Sequence, residues 1–433
     1  MTSHYQKTTL PNGLRLVTEH VNSVRSVAIG VWVGIGSRSE AEDQAGITHF
    51  LEHLLFKGTE HRTAREIAEQ IESVGGQLNA FTGKEYTCFY VRILDEYMIT
   101  GLELLADMLL ASRFDEDDIE REKGVIIEEI RMYEDTPEDL VHDLFNATIW
   151  HGHPLGRSVL GSEQTVQTFS RSDLQRFFAN HYTADNIVIA AAGNLVHDEL
   201  VQIVSDVFSA LPTGGKTAIG SPAQAGSRLA VITRAIEQAH ICLGVTGLGH
   251  DDQDIYHLQV LNNLLGGGSS SRLFQGIRED RGLAYSVYSY LQSCRDCGLL
   301  TVYAGMNPGN VKAVVDLVRT ELANIKQDGI TTEEHERAVA QLKATLMMNL
   351  ENTGARMSRL GRMELLMGKV IPPAEVIQKL SATTPEGVQK LAKRLFAKPP
   401  TIALVGPELA ADGHWYLQTV VGTGEKNGID GAH

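Results

Sequence analysis

Apolar residues Ile47, Phe50, Leu51, Leu54 and Leu55 recur at i, i+3, i+4, i+7 and i+8, the stripe of an amphipathic helix. Gly46 can open that helix and Gly58 can close it, because glycine tolerates the backbone of a helix end. A second helical stretch carries Val125, Ile126, Met132 and Tyr133. Another is expected from Thr63, where Glu66 three residues on completes the capping-box pattern. Tyr97–Leu110 and residues 172–180 also read as helices. Strand signals fall between them. Residues 8–18 form a hairpin pattern about the Asn12-Gly13 turn, and Ser26–Gly34 is rich in β-branched and aromatic residues. Gln77–Thr82 alternates weakly between glycines, as an exposed edge strand would, and Tyr86–Ile93 and Asn186–Ala192 read as further strands.

The pattern then returns. Residues 211–226 have the composition of a linker. Beyond them Ala239–Gly247 resembles the Ser26 strand, and residues 259–266 lie over 49–56 at an offset of 210. Residues 387–408 match 173–194 at an offset of 214. These matches suggest an internal duplication. They divide the chain into a first domain over 1–212, a linker over 213–228, a homologous second domain over 229–421 and a tail over 422–433. The length agrees: 433 residues are too many for one core and fit two domains of about 200 each.

Composition narrows the class. No apolar run approaches the ~18 residues of a membrane-spanning helix; the longest candidate, Ile187–Ala192, reads as a buried strand. Residues 1–7 carry no apolar core of a signal peptide and no Arg-rich amphipathic presequence, so a cytoplasmic location is expected. Four cysteines do not make a disulfide framework in this length. Cys88 and Cys242 fall in apolar strands, and Cys294 and Cys297 are a lone C-x-x-C read as a hairpin turn with two reduced thiols. The net charge of −16 is uneven: residues 1–212 hold 33 Asp and Glu against 16 Lys and Arg, and the remainder holds 21 against 22. An acidic first half argues against nucleic acid as a ligand. It would attract basic peptides by long-range steering, although simple solubility explains the charge as well.

The first helix carries chemistry on its other face. Residues three and four apart share a helix face, so His49, Glu52 and His53 project together. Two imidazoles one turn apart can hold one zinc ion, and a carboxylate beside them can take a proton from activated water. The spacing is that of the inverted H-x-x-E-H zinc hydrolases. The five residues alone leave open a partly solvated helix face that happens to carry two histidines. Zinc also needs a third protein ligand. Downstream, Glu122 and Glu129 stand seven apart, two turns up one face of the second helix, with Glu128 adjacent as a solvated carboxylate.

With those two stretches, nearly the whole chain resembles the insulinase/pitrilysin zinc peptidases, in particular short members like the subunits of mitochondrial processing peptidase. The resemblance implies that Glu129 is the third zinc ligand beside His49 and His53, that Glu52 is the base, and that Glu122 supports the site. It implies an α+β fold of two homologous domains, each a mostly antiparallel sheet with helices packed on one face. The strand Gln77–Thr82 would accept an extended substrate as an added strand, a mode that holds peptides by main-chain hydrogen bonds, with Asn79 and Ala80 as the backbone contacts. The second copy places Gln259, Asn262 and Asn263 at the three zinc-helix positions, so only the first half is a metal site. Arg278 and Tyr285 match the family's Arg-x6-Tyr pair, which binds substrate near the scissile bond; a guanidinium and a phenol suit a carbonyl that becomes an oxyanion. On spacing alone, Arg278 reads as a surface ion pair with Glu279 or Asp280 and Tyr285 as core packing; only the family match favours a functional pair. Longer relatives hold four such domains in one chain, so two copies of this chain would form a homodimer enclosing a chamber; a heterodimer with a degenerate partner is the competing form.

The expected function is therefore a zinc-dependent endopeptidase acting on extended peptides, with no nucleic acid or membrane partner. The competing readings are a non-catalytic scaffold or partner subunit of a processing-peptidase-like complex, and a thiol enzyme built on Cys294 and Cys297. His142, His151 and His153 are rival metal ligands, left outside the zinc set because the H-x-H resembles a structural loop of the family.

Overall fold

A computed structural model of the chain describes residues 5–408 apart from 216, 218, 219, 221, 222, 224 and 227; the tail over 422–433 lies outside the described residues. Strands β1 (Tyr5–Thr9), β2 (Arg15–His20), β3 (Ser26–Val33), β4 (Gln77–Thr82), β5 (Thr87–Leu94) and β6 (Ile187–Gly193) make one sheet in the order β1-β2-β6-β3-β5-β4. Strands β7 (Leu229–Thr233), β8 (Ala239–Thr246), β9 (Ala284–Ser293), β10 (Gly298–Met306) and β11 (Thr401–Gly406) make the second, in the order β7-β11-β8-β10-β9. In chain order the helices are α1 (Ile47–Leu54), α2 (Ala64–Ser73), α3 (Met98–Leu110), α4 (Glu116–Asp135), α5 (Pro137–Ile149), α6 (Glu163–Thr168) and α7 (Arg171–His181). They continue as α8 (His197–Val207), α9 (Ile255–Gly266), α10 (Val311–Asp328), α11 (Thr332–Asn349), α12 (Thr353–Met367), α13 (Pro373–Ser381) and α14 (Pro385–Leu395).

The two sheets repeat one topology. Each is antiparallel except for one pair, β2 with β6 in the first and β7 with β11 in the second. Dropping β1, the order β2-β6-β3-β5-β4 maps onto β7-β11-β8-β10-β9 strand for strand. α1 and α9 occupy the same place in the two series, which carries the duplication read from the sequence into the fold.

Two compact units result, and neither is contiguous. Among the described residues, unit 1 comprises those within 5–132, 157–220 and 343–378, and unit 2 those within 133–156, 223–342 and 379–408. The sequence division at 212 and 229 draws each domain as one continuous stretch, whereas each unit takes in a helix from the other half of the chain. In unit 1, Val27, Ile29, Val31 and Val33 of β3 face a core built from α1, α2, α3, α4, α7 and α8. The alternate residues Ala28 and Trp32, with Cys88 and Val188, face Met357, Leu360 and Leu365, so α12 covers the opposite face. Burying each such side chain contributes about 1.5–3 kcal/mol, enough to hold a helix that arrives from far along the chain. Gly361 lets it approach: a Cβ there would stand 2.2 Å from Trp32 Nε1. In unit 2, Val141, Phe145 and Ile149 of α5 pack on Cys242, Tyr303, Ala403 and Val405 in the same way.

Candidate metal centre

The α1 helix is shorter than its apolar stripe. Gly46 caps it in the left-handed region at φ 92°, and after Leu54 the chain turns through Leu55, Phe56 and Lys57 to Gly58 at φ 132°. Ile47, Phe50, Leu51 and Leu54 are buried, which fixes the rotation of the helix and turns His49, Glu52 and His53 to the other side. In α4 the buried positions are Ile119, Glu122, Ile126 and Ile130. That stripe places Glu122 against α1, with Glu129 two turns along.

Three of the predicted residues converge. One donor atom each from His49, His53 and Glu129 lies within 4.8 Å of the others, the one such group of three or more His, Cys, Asp and Glu side chains among the described residues. The Glu129 Oε2 is 3.8 Å from His49 Nε2 and 3.6 Å from His53 Nε2. Donors bound to a tetrahedral zinc at its ordinary distances stand about 3.4 Å apart, so the set fits that ion with small adjustments. Burial, with the neighbouring His53 charge, pushes the His49 pKa down to about 3. Its imidazole is therefore neutral at ordinary pH, the form that binds metal.

The residues around the triad are also ordered. His53 Nδ1 is 3.2 Å from Glu122 Oε2, and Lys57 Nζ is 2.7 Å from Glu122 Oε1. Burial opposes ionisation of Glu122, but the bonds from His53 and Lys57 hold it below the ordinary carboxylate range. A charged partner on the outer nitrogen is the usual device for orienting a metal-binding imidazole. The Thr82 hydroxyl at the end of β4 donates to Glu52 Oε2. Burial raises the Glu52 pKa against the opposing effects of Thr82 and His53. Glu128, by contrast, pairs with Arg131 in solvent.

Asn79 and Ala80 lie on β4, at the free edge of the first sheet. The Ala80 N–H donates to the Asn79 side chain at 2.8 Å, so an incoming strand would compete with Asn79 for it. Arg278 and Tyr285 belong to unit 2, and the structure brings them together there. A π-helical turn over Phe274–Glu279 holds Arg278, whose guanidinium carbon is 4.9 Å from the Phe274 ring centre and 5.5 Å from that of Tyr285. π-helical turns recur at functional sites. The pair lines an open cavity of ≈ 300 Å³ with Gln238, Met306, Asn307 and Asn310, and Tyr285 is 78% exposed rather than packed in the core.

The rival residues do not assemble. His142 is hydrogen-bonded to the Tyr290 hydroxyl at 2.8 Å and lies beside Cys242. The His153 ring accepts from the Leu155 N–H. Cys294 and Cys297 sit in the β9–β10 turn, where the Cys294 N–H donates to the Cys297 carbonyl at 2.8 Å, and they are not joined in a disulfide. Sequence reasoning missed Thr82 and Lys57. Lys57 follows His53 by four residues, a signal that was present; Thr82 lies thirty residues from Glu52, and only the fold brings it near.

Fold and site together define a duplicated α+β protein with a His–His–Glu centre in its first unit. The chain belongs to the insulinase family. The family described as "Insulinase (Peptidase family M16)" matches residues 15–163, and "Peptidase M16 inactive domain" matches residues 168–342. The chain is 46% identical over 400 residues to a Bacillus subtilis protein named an uncharacterized zinc protease, covering 92% of this chain and 97% of that one. A Streptomyces coelicolor protein of the same description is 43% identical, covering 93% and 89%. Among solved structures, a protease from Helicobacter pylori superposes with a TM-score of 0.89 at 24% identity, covering 94% of this chain and 100% of that one. A Pseudomonas fluorescens structure described as a peptidase M16 inactive domain gives 0.87 at 22%, covering 94% and 99%. At that identity both speak for the fold.

Proposed function

We propose that the chain is a zinc metalloendopeptidase of extended peptides, with His49, His53 and Glu129 as zinc ligands. The observation that carries this is the convergence of those three side chains beside Glu52. Zinc in such a site supplies Lewis acidity and lowers the pKa of water towards neutrality. Glu52 takes the proton of the attacking water at Oε1, since Thr82 occupies Oε2, and passes it to the leaving amine. Glu122 holds the His53 ring through Nδ1. The edge of β4 aligns the peptide at Asn79 and Ala80 through its main chain.

Arg278 and Tyr285 donate to the substrate carbonyl from a second copy of the chain in a homodimer, the closed assembly that two such chains form most simply. The support is the resemblance to longer relatives and the intact pair beside an intact zinc motif. The reading as a non-catalytic partner draws on the second unit, where Gln259, Asn262 and Asn263 replace the metal-site residues. It does not account for the complete set in the first. Complementation tests the reading. Glu52→Gln chains and Arg278→Ala/Tyr285→Phe chains should each lose about 10²–10⁴-fold in activity. Mixed under conditions that exchange subunits, they should regain activity from dimers carrying one intact composite site. Activity that stays at the level of the separate variants after confirmed exchange contradicts the shared site.

A further inference from the structure

The two histidines of the metal centre are held differently. His53 is oriented from its side chain, through Nδ1 to Glu122. Among the described residues His49 Nδ1 is buried and has no hydrogen-bond partner, so no side-chain contact of that kind from them fixes its ring. Metal-binding imidazoles ordinarily have such a partner, which sets both tautomer and direction. The structure shows instead a device acting on the backbone of the turn that leads into His49.

That device is Glu40. Its carboxylate, 3% exposed, accepts from two N–H groups at the start of α1: Gly46 N to Oε2 at 2.8 Å and Thr48 N to Oε1 at 2.9 Å. The opening N–H groups of a helix have no partner within it, and Gly46 offers no side chain to cap them. Glu40 supplies the cap from outside the helix and spans its first turn with both oxygens. His49 is the next residue after Thr48. Glu40 is itself fixed, because Arg157 donates to its backbone carbonyl at 2.6 Å. The N-terminus of α1 is pinned from the other side by close approach, where a Cβ on Gly46 would stand 2.5 Å from the Leu160 carbonyl.

We infer that Glu40 is the positioning residue for His49, doing through the backbone what Glu122 does for His53 through the ring. The inference rests on the zinc reading above. It makes the carboxylate of Glu40 a determinant of zinc affinity although it touches no ligand side chain. An amide at this position would present an acceptor to one N–H and a donor to the other, so one of the two bonds is lost and the first turn is free to tilt.

The test is the zinc dissociation constant of the purified full chain, measured without substrate by competition with a chelating dye. Glu40→Gln should weaken zinc binding by about 10–100-fold, the range for loss of an outer-shell partner. Glu364→Gln is the control. Glu364 is another buried carboxylate, 2.7 Å from Lys7 and 3.3 Å from Arg15, and its loss should lower the unfolding temperature without changing the zinc constant. Glu40→Asp keeps the charge but shortens the reach, and serves if the amide does not fold; it should weaken zinc in the same direction. Parental zinc affinity in a folded Glu40 variant overturns the inference while leaving the zinc reading intact. Equal losses of affinity in the Glu40 and Glu364 variants also overturn it, because general loosening would then explain both. A parent chain that binds no zinc overturns the zinc reading and the inference with it.

Discussion

Glu52 shares one of its carboxylate oxygens with a hydroxyl thirty residues away, and that bond joins the base to the strand proposed to receive substrate. Thr82 ends β4 and donates to Glu52 Oε2. Replacing it by the near-isosteric valine removes the donor and leaves the shape. A hydrogen bond to a charged group is worth about 1.5 kcal/mol or more, so Thr82→Val should lower kcat about tenfold. KM and zinc content should stay unchanged, and Thr82→Ser should restore the rate. A Thr82→Val enzyme with the parental kcat would mean that Glu52 needs no such tether. The clustering of His49, Glu52 and His53 was legible in the sequence because helical spacing alone puts them on one face. Glu129 required the family pattern, since nothing in the spacing of α4 says that it crosses α1. Thr82 and Glu40 carried no periodic signal: Thr82 reaches Glu52 only through the fold, and Glu40 caps α1 from an irregular loop just before it.

The elements were largely readable, and their partners less so. The strands of the first sheet and β8 of the second, the Asn12-Gly13 turn and the capping box of α2 follow from local pattern, and the structure has them. An amphipathic stripe says that a helix buries a face but not against which sheet. α5 and α12 each serve the sheet of the other half of the chain, and the linear division therefore cuts both units. The docking of α12 is specified by charge as well as by packing. Glu364, with a side chain only 1% exposed, lies 3.3 Å from Arg15 on β2 and 2.7 Å from Lys7 on β1. Removing one partner of such a pair strands the other charge in a buried site and costs about 3–5 kcal/mol. Glu364→Ala should lower the unfolding temperature and speed amide exchange along α12. Unchanged calorimetry and exchange would mean that the apolar contacts of Met357 and Leu360 suffice.

For the whole molecule, the charge asymmetry belongs to residues 1–212, the stretch that contains the His–His–Glu cluster: 33 acidic residues against 16 basic ones. Steering by that field should favour basic peptides over matched acidic ones at low salt, and the preference should fade as the Debye length falls to about 8 Å near 0.15 M. Equal kcat/KM for both peptides at low salt would reduce the charge to a means of staying in solution. No helix among the described residues is long and apolar enough to cross a membrane. Family membership, the duplicated fold and the His–His–Glu cluster meet in one claim, that this chain cleaves peptides with zinc held by His49, His53 and Glu129. The most direct test is the zinc content of the purified full chain set against its peptidase activity, before and after chelation. The account predicts one zinc per chain, activity lost with the metal and regained on its return, and weakened zinc retention in Glu129→Gln. Undiminished cleavage by zinc-free protein, or full zinc retention in Glu129→Gln, would contradict it.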